Sequence, residues 1–263
     1  MLNLPANSSG VALVSEKTAE LYSIVIPCYC SGEWLDELVS RIKTSIDDFD
    51  MEFEIILVND ASPDEITWPK IQELSKSNTE IRGLNLMSNV GQYRATLAGF
   101  SKSKGSCIIT LDDDLQHYPE DIPILIEKML SNPDVDCVMG SYKVKMHSLF
   151  RNFGSSLVHM ILSRFYDKPK GLKSTAFRIL RSELAQATLA NRSNKPNLMA
   201  VLSQSSKRAI NVEVRHDERP YGRSGYGFSD LVRFTFDNIF AVTNAPLRYV
   251  SVAGIMASFA SLF

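Results

Sequence analysis

Short apolar runs rich in β-branched residues, each followed by a stretch of helical period, set the strongest limit on what this chain can fold into. Residues 21–27 (LYSIVIP) read as a buried strand, and Trp34, Leu35, Leu38 and Ile42 give the next segment one apolar helical face. Residues 53–58 predict a second strand ending in Asn59-Asp60, residues 81–86 a third, and residues 107–111 a fourth that closes on Asp112-Asp113-Asp114. A helix is expected over 89–100 after a glycine turn. Another is expected over 119–130, with Pro119 in its first turn, and a fifth strand over 135–139. Strands alternating with helices predict an α/β chain with a doubly wound, mostly parallel sheet and flanking helices. Ligands of such sheets sit beyond the carboxyl ends of the strands. Here those ends carry Pro27-Cys28-Tyr29, Asn59-Asp60 and the acidic triplet, which together mark the expected site.

Composition narrows the class further. A formal charge of −2 argues against a global nucleic-acid footprint, and 44% hydrophobic residues supply ample core. No internal repeat or low-complexity linker interrupts the chain. The division expected is a polar lead-in over 1–20, one catalytic domain over 21–240, and a membrane-proximal segment over 241–263. The amino terminus lacks the basic-then-apolar layout of a signal peptide. Cys28, Cys30, Cys107 and Cys137 form no zinc-type pair, and Cys28 and Cys30 are too close for a routine disulfide. Buried, reduced thiols of a cytosolic domain are expected.

Two segments point to a membrane. Between Ser141 and Arg181 nine cations, including Lys143, Arg151, Arg164 and Arg178, face one anion, Asp167. Phe150, Phe153, Leu157 and Ile161 recur there at helical spacing. This reads as a basic amphipathic helix, either solvated or lying on an anionic bilayer. After Arg248, residues 249–263 hold no charge and include Ile255, Met256, Phe259, Leu262 and Phe263. As a helix these 15 residues would cover roughly 22 Å, short of the ~30 Å hydrocarbon core. They read as the start of a transmembrane segment with Arg248 and Tyr249 at the interface; a buried core helix is the alternative.

The acidic triplet suggests chemistry. A divalent ion bridging diphosphate oxygens takes hard oxygen ligands, few of them from protein. Asp112 and Asp114, one residue apart, can approach one ion together, and Gln116 can add an amide oxygen. An ion so held acts as a Lewis acid on a departing diphosphate. Alone, such a pair also suits a solvated acidic loop.

Several stretches, in order, carry more: SIVIPCYCSGEWLDELV, EIILVNDASPD, NVGQYRATLAGF, IITLDDDLQHYPEDIP, FRILRSEL, RHDERPYGRSGYGFSDL and APLRYVSVAGI. With these motifs the chain resembles glycosyltransferase family 2, with the GT-A fold. More narrowly it resembles the polyprenyl-phosphate glycosyltransferases, the group of dolichyl-phosphate mannose synthase and the undecaprenyl-phosphate glucosyl- and formamido-arabinosyl-transferases. The resemblance implies a nucleotide-sugar donor whose nucleotide is held by Pro27, Tyr29, Glu33, Asp60, Ser62, Asn89 and Gln92. It implies that Asp112, Asp114 and Gln116 hold magnesium or manganese and the diphosphate. The family has alanine where this chain has Asp113, which is expected to point off the metal. Arg219 and Arg223 are implied as catalytic cations of a glycine-rich acceptor loop. Arg178, His216, Ser224 and Tyr226 are implied at the acceptor phosphate. Where many relatives carry an aspartate before the Phe-Arg-Leu strand, this chain has KSTAF. A hydroxyl acceptor needs a base there, whereas a phosphate is already an anion. The expected reaction is inverting transfer of a sugar to a polyprenyl phosphate, on the cytoplasmic face of a membrane such as a bacterial inner membrane. The rivals are transfer to a saccharide hydroxyl and a degenerate nucleotide-sugar-binding scaffold.

Overall fold

Residues 21–28 and 52–59 contain the aliphatic runs Ile24–Ile26 and Ile55–Val58, because strands in the middle of such a sheet are buried on both faces. In the computed structural model, which describes residues 20–49, 51–142, 171–190, 198–216, 251–252, 254–256 and 258, they form β1 (Leu21–Cys28) and β2 (Glu52–Asn59). The two pair in parallel from Leu21 opposite Glu52 to Cys28 opposite Asn59. β3 (Ile81–Asn85) and β4 (Cys107–Thr110) add in parallel on either side. Beyond β4 the sheet continues through β5 (Cys137–Ser141), β6 (Arg178–Arg181) and β7 (Ala209–Glu213), in the order β3-β2-β1-β4-β6-β5-β7. β6 runs antiparallel to both β4 and β5, so the sheet is mixed at that one strand.

Helices cover both faces. Ile24, Ile26, Leu57 and Ile109 pack with α1 (Leu35–Ile46), α2 (Thr67–Ser77) and α4 (Ile122–Leu130). Val25, Ile56, Val58 and Ile108 pack with α3 (Gln92–Phe100), α5 (Ser182–Ala190) and α6 (Leu198–Ser205). The close seat of α3 on β1 depends on Gly99, where an added Cβ would lie 2.2 Å from Val25 Cγ1. The doubly wound expectation therefore holds.

Boundaries shift by small amounts with identifiable causes. The fifth strand starts at Cys137, two residues late, because Pro133 and Asp134 turn the chain and Arg181 Nε and Nη2 bond the carbonyls of Val135 and Pro133 (2.9 Å each). The helix from Pro119 opens as a 3₁₀ turn, Pro119–Asp121, before α4. The thiol expectation needs one correction. Cys28, Cys107 and Cys137 are buried, but Cys30 is exposed. Strand β1 ends at Cys28 and Cys30 turns to φ 54°, so the two no longer share a face.

Residues 1–19, residues 143–170 of the basic stretch expected over 141–181, and residues 217–250, which include the expected acceptor-loop residues Arg219, Arg223, Ser224 and Tyr226, lie outside the described residues. Among the described residues no helix is long and apolar enough to cross a membrane. The described positions of 251–258 are helical, and Val252, Ile255 and Met256, at one-turn spacing, are each more than half exposed.

An ion pair between buried Asp121 and largely exposed Arg215 ties the far edge of the sheet to the site. Asp121, 1% exposed, accepts the Arg215 backbone N–H at 2.7 Å and its Nε and Nη2 at 2.9 and 2.5 Å. The segment after β7 is thereby held against the turn before α4. Asp121→Ala should destabilise the domain by about 2–3 kcal/mol, since charge-assisted bonds are lost while Arg215 can rehydrate. The check is the urea midpoint, with Arg215→Met expected to cost less.

Candidate active site

The carboxyl ends of β1, β2, β3, β4, β5 and β7 all reach one edge, and β6 begins there, with Arg178 opposite Thr110. Three residues other than glycine have left-handed backbones among the described residues: Cys30 (φ 54°), Ala61 (φ 50°) and Leu115 (φ 58°). Each follows a strand on this edge, and each costs roughly 1–2 kcal/mol that the surroundings must offset.

On the β1–β3 side the loops are tied together. Asn59 Oδ1 accepts the Ser62 N–H and hydroxyl at 3.2 and 2.6 Å, and Asn59 Nδ2 donates to Asn85 Oδ1 at 2.7 Å. Ser62 Oγ accepts the Cys30 N–H at 3.1 Å. The N–H groups of Ser31 and Gly32 both donate to Thr67 Oγ1 at 3.0 Å, and Thr67 donates to Asp64. Asp60, buried at the end of β2, accepts the N–H groups of Val90 and Gly91 at 2.8 and 2.9 Å. Gly91 adopts φ 84°, which only glycine takes without strain, and α3 starts directly after it. Pro27 is buried inside β1 opposite Val58 and shapes the strand end rather than its surface. Tyr29, Glu33, Asn89 and Gln92 are exposed on the edge.

The acidic triplet follows β4. Gln92 Nε2 donates to Asp112 Oδ1, which joins the start of α3 to the triplet. Asp114, 7% exposed, accepts the Gln116 N–H at 3.1 Å. Asp113 faces another way: its Oδ2 accepts the Tyr29 N–H at 2.9 Å and its carbonyl the Trp34 indole N–H at 2.5 Å. Burial pushes the Asp113 carboxyl up to about 6, with Asp114 adding to the rise and the Tyr29 N–H opposing it.

The β5–β7 side supplies rings and a cation. His117 pairs by a β-bridge with His216, the expected acceptor-side histidine, and its ring lies 5.2 Å from it. Tyr142 stacks on His216 at 4.1 Å and Phe177 on His117 at 5.4 Å. His117 Nε2 is 3.9 Å from Asp112 Oδ2. Burial, then His216 and Arg178, pull the imidazole down to about 4 against Asp114, so His117 is neutral near pH 7. Arg178 is 7% exposed, its Nε donates to the Ala176 carbonyl at 3.3 Å, and its Nη1 has no partner among the described residues. Burial lowers its pKa, opposed by Cys137 and Asp112. Arg219, Arg223, Ser224 and Tyr226 lie outside the described residues.

The sequence profile described as "Glycosyl transferase family 2" matches residues 23–189, well over half of the chain and all of this edge up to Arg178. The chain belongs to glycosyl transferase family 2. Among solved structures, glucosyl-3-phosphoglycerate synthase from Mycobacterium tuberculosis with UDP aligns at a TM-score of 0.60 and 14% identity, over 85% of this chain and 79% of that one. The same enzyme with Mn2+, UDP-glucose and phosphoglyceric acid gives 0.57 and 15%, over 84% and 78%. With Mn2+, UDP and glucosyl-3-phosphoglycerate the values are 0.55 and 16%, over 84% and 78%. At these identities the likeness is one of fold, and the fold is GT-A-like.

A family 2 transferase implies a divalent cation, and the donor set fits one. Asp112 and Asp114 offer carboxylate oxygens and Gln116 an amide oxygen. Both carboxylates lie close enough to His117 to interact with it. Among the described residues no three His, Cys, Asp or Glu side chains gather into a closed cage. An open set of oxygens matches a small hard cation shared with substrate phosphates. His117 and Asp64 were not singled out from sequence, and Trp34 was read only as part of an apolar helical face. For His117 the signal was its place directly after LDDDLQ; for Asp64 it was an acidic residue just ahead of α2, where it accepts the N–H groups of Ile66 and Thr67.

Proposed function

We propose that the chain is the catalytic domain of an inverting, metal-dependent glycosyltransferase that moves a sugar from a nucleotide-sugar to a polyprenyl phosphate at the cytoplasmic face of a membrane. The observation that carries the acceptor side is Arg178. It is a buried cation with an unpartnered Nη1 at the edge where β4, β5 and β6 meet, and no carboxylate lies on 172–177 beside it. The Thr175 hydroxyl in that stretch donates to backbone carbonyls, at 2.8 Å to Gly140 and 2.9 Å to Phe177. A buried cation with no carboxylate on the adjoining 172–177 stretch suits an acceptor that arrives as an anion.

In this reading Asp60 fixes the turn before α3 and, with Tyr29, Glu33, Ser62 and Asn89, takes the nucleoside. Gln92 orients Asp112, and Asp112, Asp114 and Gln116 hold magnesium or manganese. The cation, when bound, supplies the positive charge that stabilises the departing diphosphate. The acceptor phosphate oxygen attacks the anomeric carbon from the opposite face, so its configuration inverts and no proton needs to be removed. Arg178, with His216 and the loop bearing Arg219, Arg223, Ser224 and Tyr226, holds that phosphate. Rate enhancement comes from positioning and preorganised charge. Exposed Val252, Ile255 and Met256 support a bilayer-facing carboxyl terminus.

The test is the purified chain with manganese, UDP-, GDP- and dTDP-sugars, and either polyprenyl phosphate in detergent, phosphoglycerate, or a free saccharide. A sugar-phospholipid product is expected. Transfer to phosphoglycerate or to a saccharide hydroxyl would replace the lipid reading. Arg223→Ala should impair use of the lipid phosphate by about 10- to 150-fold, the equivalent of one charge-assisted bond of roughly 1.5–3 kcal/mol. Donor affinity by calorimetry should change by less than about threefold. A parallel fall in donor affinity would move Arg223 to the nucleotide side, and full rescue by lysine would remove the need for a bidentate fork.

A further inference from the structure

The loop after β1 is held in a conformation that its sequence alone would not choose. Cys30 sits at φ 54° without being glycine, and Tyr29 projects into solvent, half exposed. Three anchors impose that shape. Ser62 accepts the Cys30 N–H, and Thr67 accepts those of Ser31 and Gly32. The third anchor reaches across 84 residues from the acidic triplet, where Asp113 Oδ2 accepts the Tyr29 N–H at 2.9 Å. The backbone carbonyl of Asp113 also accepts the Trp34 indole N–H, so one residue grips both ends of the loop. The buried Ser31 hydroxyl faces the same carboxylate without a well-directed hydrogen bond.

Asp113 is flanked by the two carboxylates assigned to the cation, yet its own is committed to the loop after β1. We propose that Asp113 is a positioning residue: it locks the Tyr29–Trp34 loop in the shape that receives the nucleoside of the donor, and so ties the nucleoside end of the site to the diphosphate end. This rests on the reading of the edge as a nucleotide-sugar site. A charge-assisted bond to a backbone N–H is shorter and stronger than a neutral one, and it carries direction as well as charge. Losing it frees a loop with a left-handed residue to relax, and the nucleoside must then reorder the loop on binding. The Tyr29 N–H lies at an exposed residue, so water can replace the lost acceptor and the fold survives.

Asp113→Ala and Asp113→Asn separate these effects. UDP, GDP and dTDP are each titrated by calorimetry into manganese-saturated wild type, and the tightest is carried to the variants. Asp113→Ala should weaken it by about 5- to 30-fold, with manganese affinity, followed by electron paramagnetic resonance without nucleotide, unchanged within about twofold. Asp113→Asn keeps an oxygen for the Tyr29 N–H and should recover affinity to within about threefold of wild type. Hydrogen exchange of the peptide spanning 27–34, without any ligand, should quicken in Asp113→Ala and not in Asp113→Asn. Wild-type nucleotide affinity in Asp113→Ala would overturn the proposal. So would a loss confined to manganese, a failure of asparagine to rescue, or unchanged exchange. If no nucleoside diphosphate binds the wild type while exchange behaves as described, the nucleotide-sugar reading fails and Asp113 remains only an anchor of the loop.

Discussion

Asp114→Ala should lower kcat by roughly a thousandfold, about 4 kcal/mol of transition-state stabilisation, while the thermal midpoint moves by only a few degrees. The residue sits in LDDDLQ just beyond β4, is 7% exposed, and its carboxylate accepts the Gln116 N–H at 3.1 Å. Burying a carboxylate is costly, so its removal relieves desolvation at the same time as it loses contacts. The two effects oppose each other in the fold. Turnover has no such offset, because a diphosphate leaving without its neutralising cation meets the full electrostatic barrier. Asp114→Asn should behave almost as badly, since an amide oxygen carries no charge to hold a divalent ion. The measurements are single-turnover rates at saturating manganese and a melting curve for each variant. Near-normal activity in Asp114→Ala, or in wild type under excess chelator, would remove the metal role. A collapse of the melting point would make the residue structural.

The parallel half of this fold was readable because its strands are buried on both faces. Strands buried on both faces are mostly aliphatic, so β1, β2 and β4 stand out through Ile24–Ile26, Ile55–Val58 and Ile108–Ile109, and the polar residues at or just beyond their ends, Asn59, Asp60 and Asp112, mark the edge of the sheet. The antiparallel strand was harder to place. β6 is four residues, Arg-Ile-Leu-Arg, and its insertion between β4 and β5 depends on pairings such as Ile109 with Ile179 and Val138 with Ile179. Nothing local encodes those partners. The site divides in the same way. Asp112, Asp114 and Gln116 could be named because their chemistry is carried by type and spacing. His117 could not, because its neutrality arises from burial and from His216, which is contributed from beyond β7. The role of Asp113 was half legible: its identity departs from the alanine of relatives, but its partner Tyr29 is a tertiary fact. The exposure of Cys30 escaped because it follows from where a strand ends, and element ends are the least determined feature of a sequence.

Arg178→Met should move stability and activity in opposite directions. The wild-type guanidinium is 7% exposed, its Nη1 has no partner, and among the described residues it makes no ion pair. Taking a cation out of water costs several kcal/mol, and replacing such a group with an apolar residue of similar length is often neutral or stabilising by about 1–4 kcal/mol. Met suits the site because Cys137, Met139 and Leu180 on the same side of the sheet already form an apolar bed. The variant should therefore melt at or above the wild-type temperature. Its turnover should fall by roughly 100- to 1000-fold, the effect of removing one preorganised donor from a site where charge moves. A chain that retains such a cation at a cost to its stability has it in place for an anion, and the split between kinetic constants says which. If Arg178 holds the acceptor, KM for polyprenyl phosphate should rise while the dissociation constant of the nucleoside diphosphate holds. If it serves the leaving diphosphate instead, donor affinity and kcat should drop together. Arg178→Lys should rescue little, because an ammonium is a point charge more strongly hydrated than guanidinium and lacks its planar fork. Loss of stability in Arg178→Met with activity preserved would mean that the arginine is a packing element, and its proposed role toward an anion would have to be abandoned.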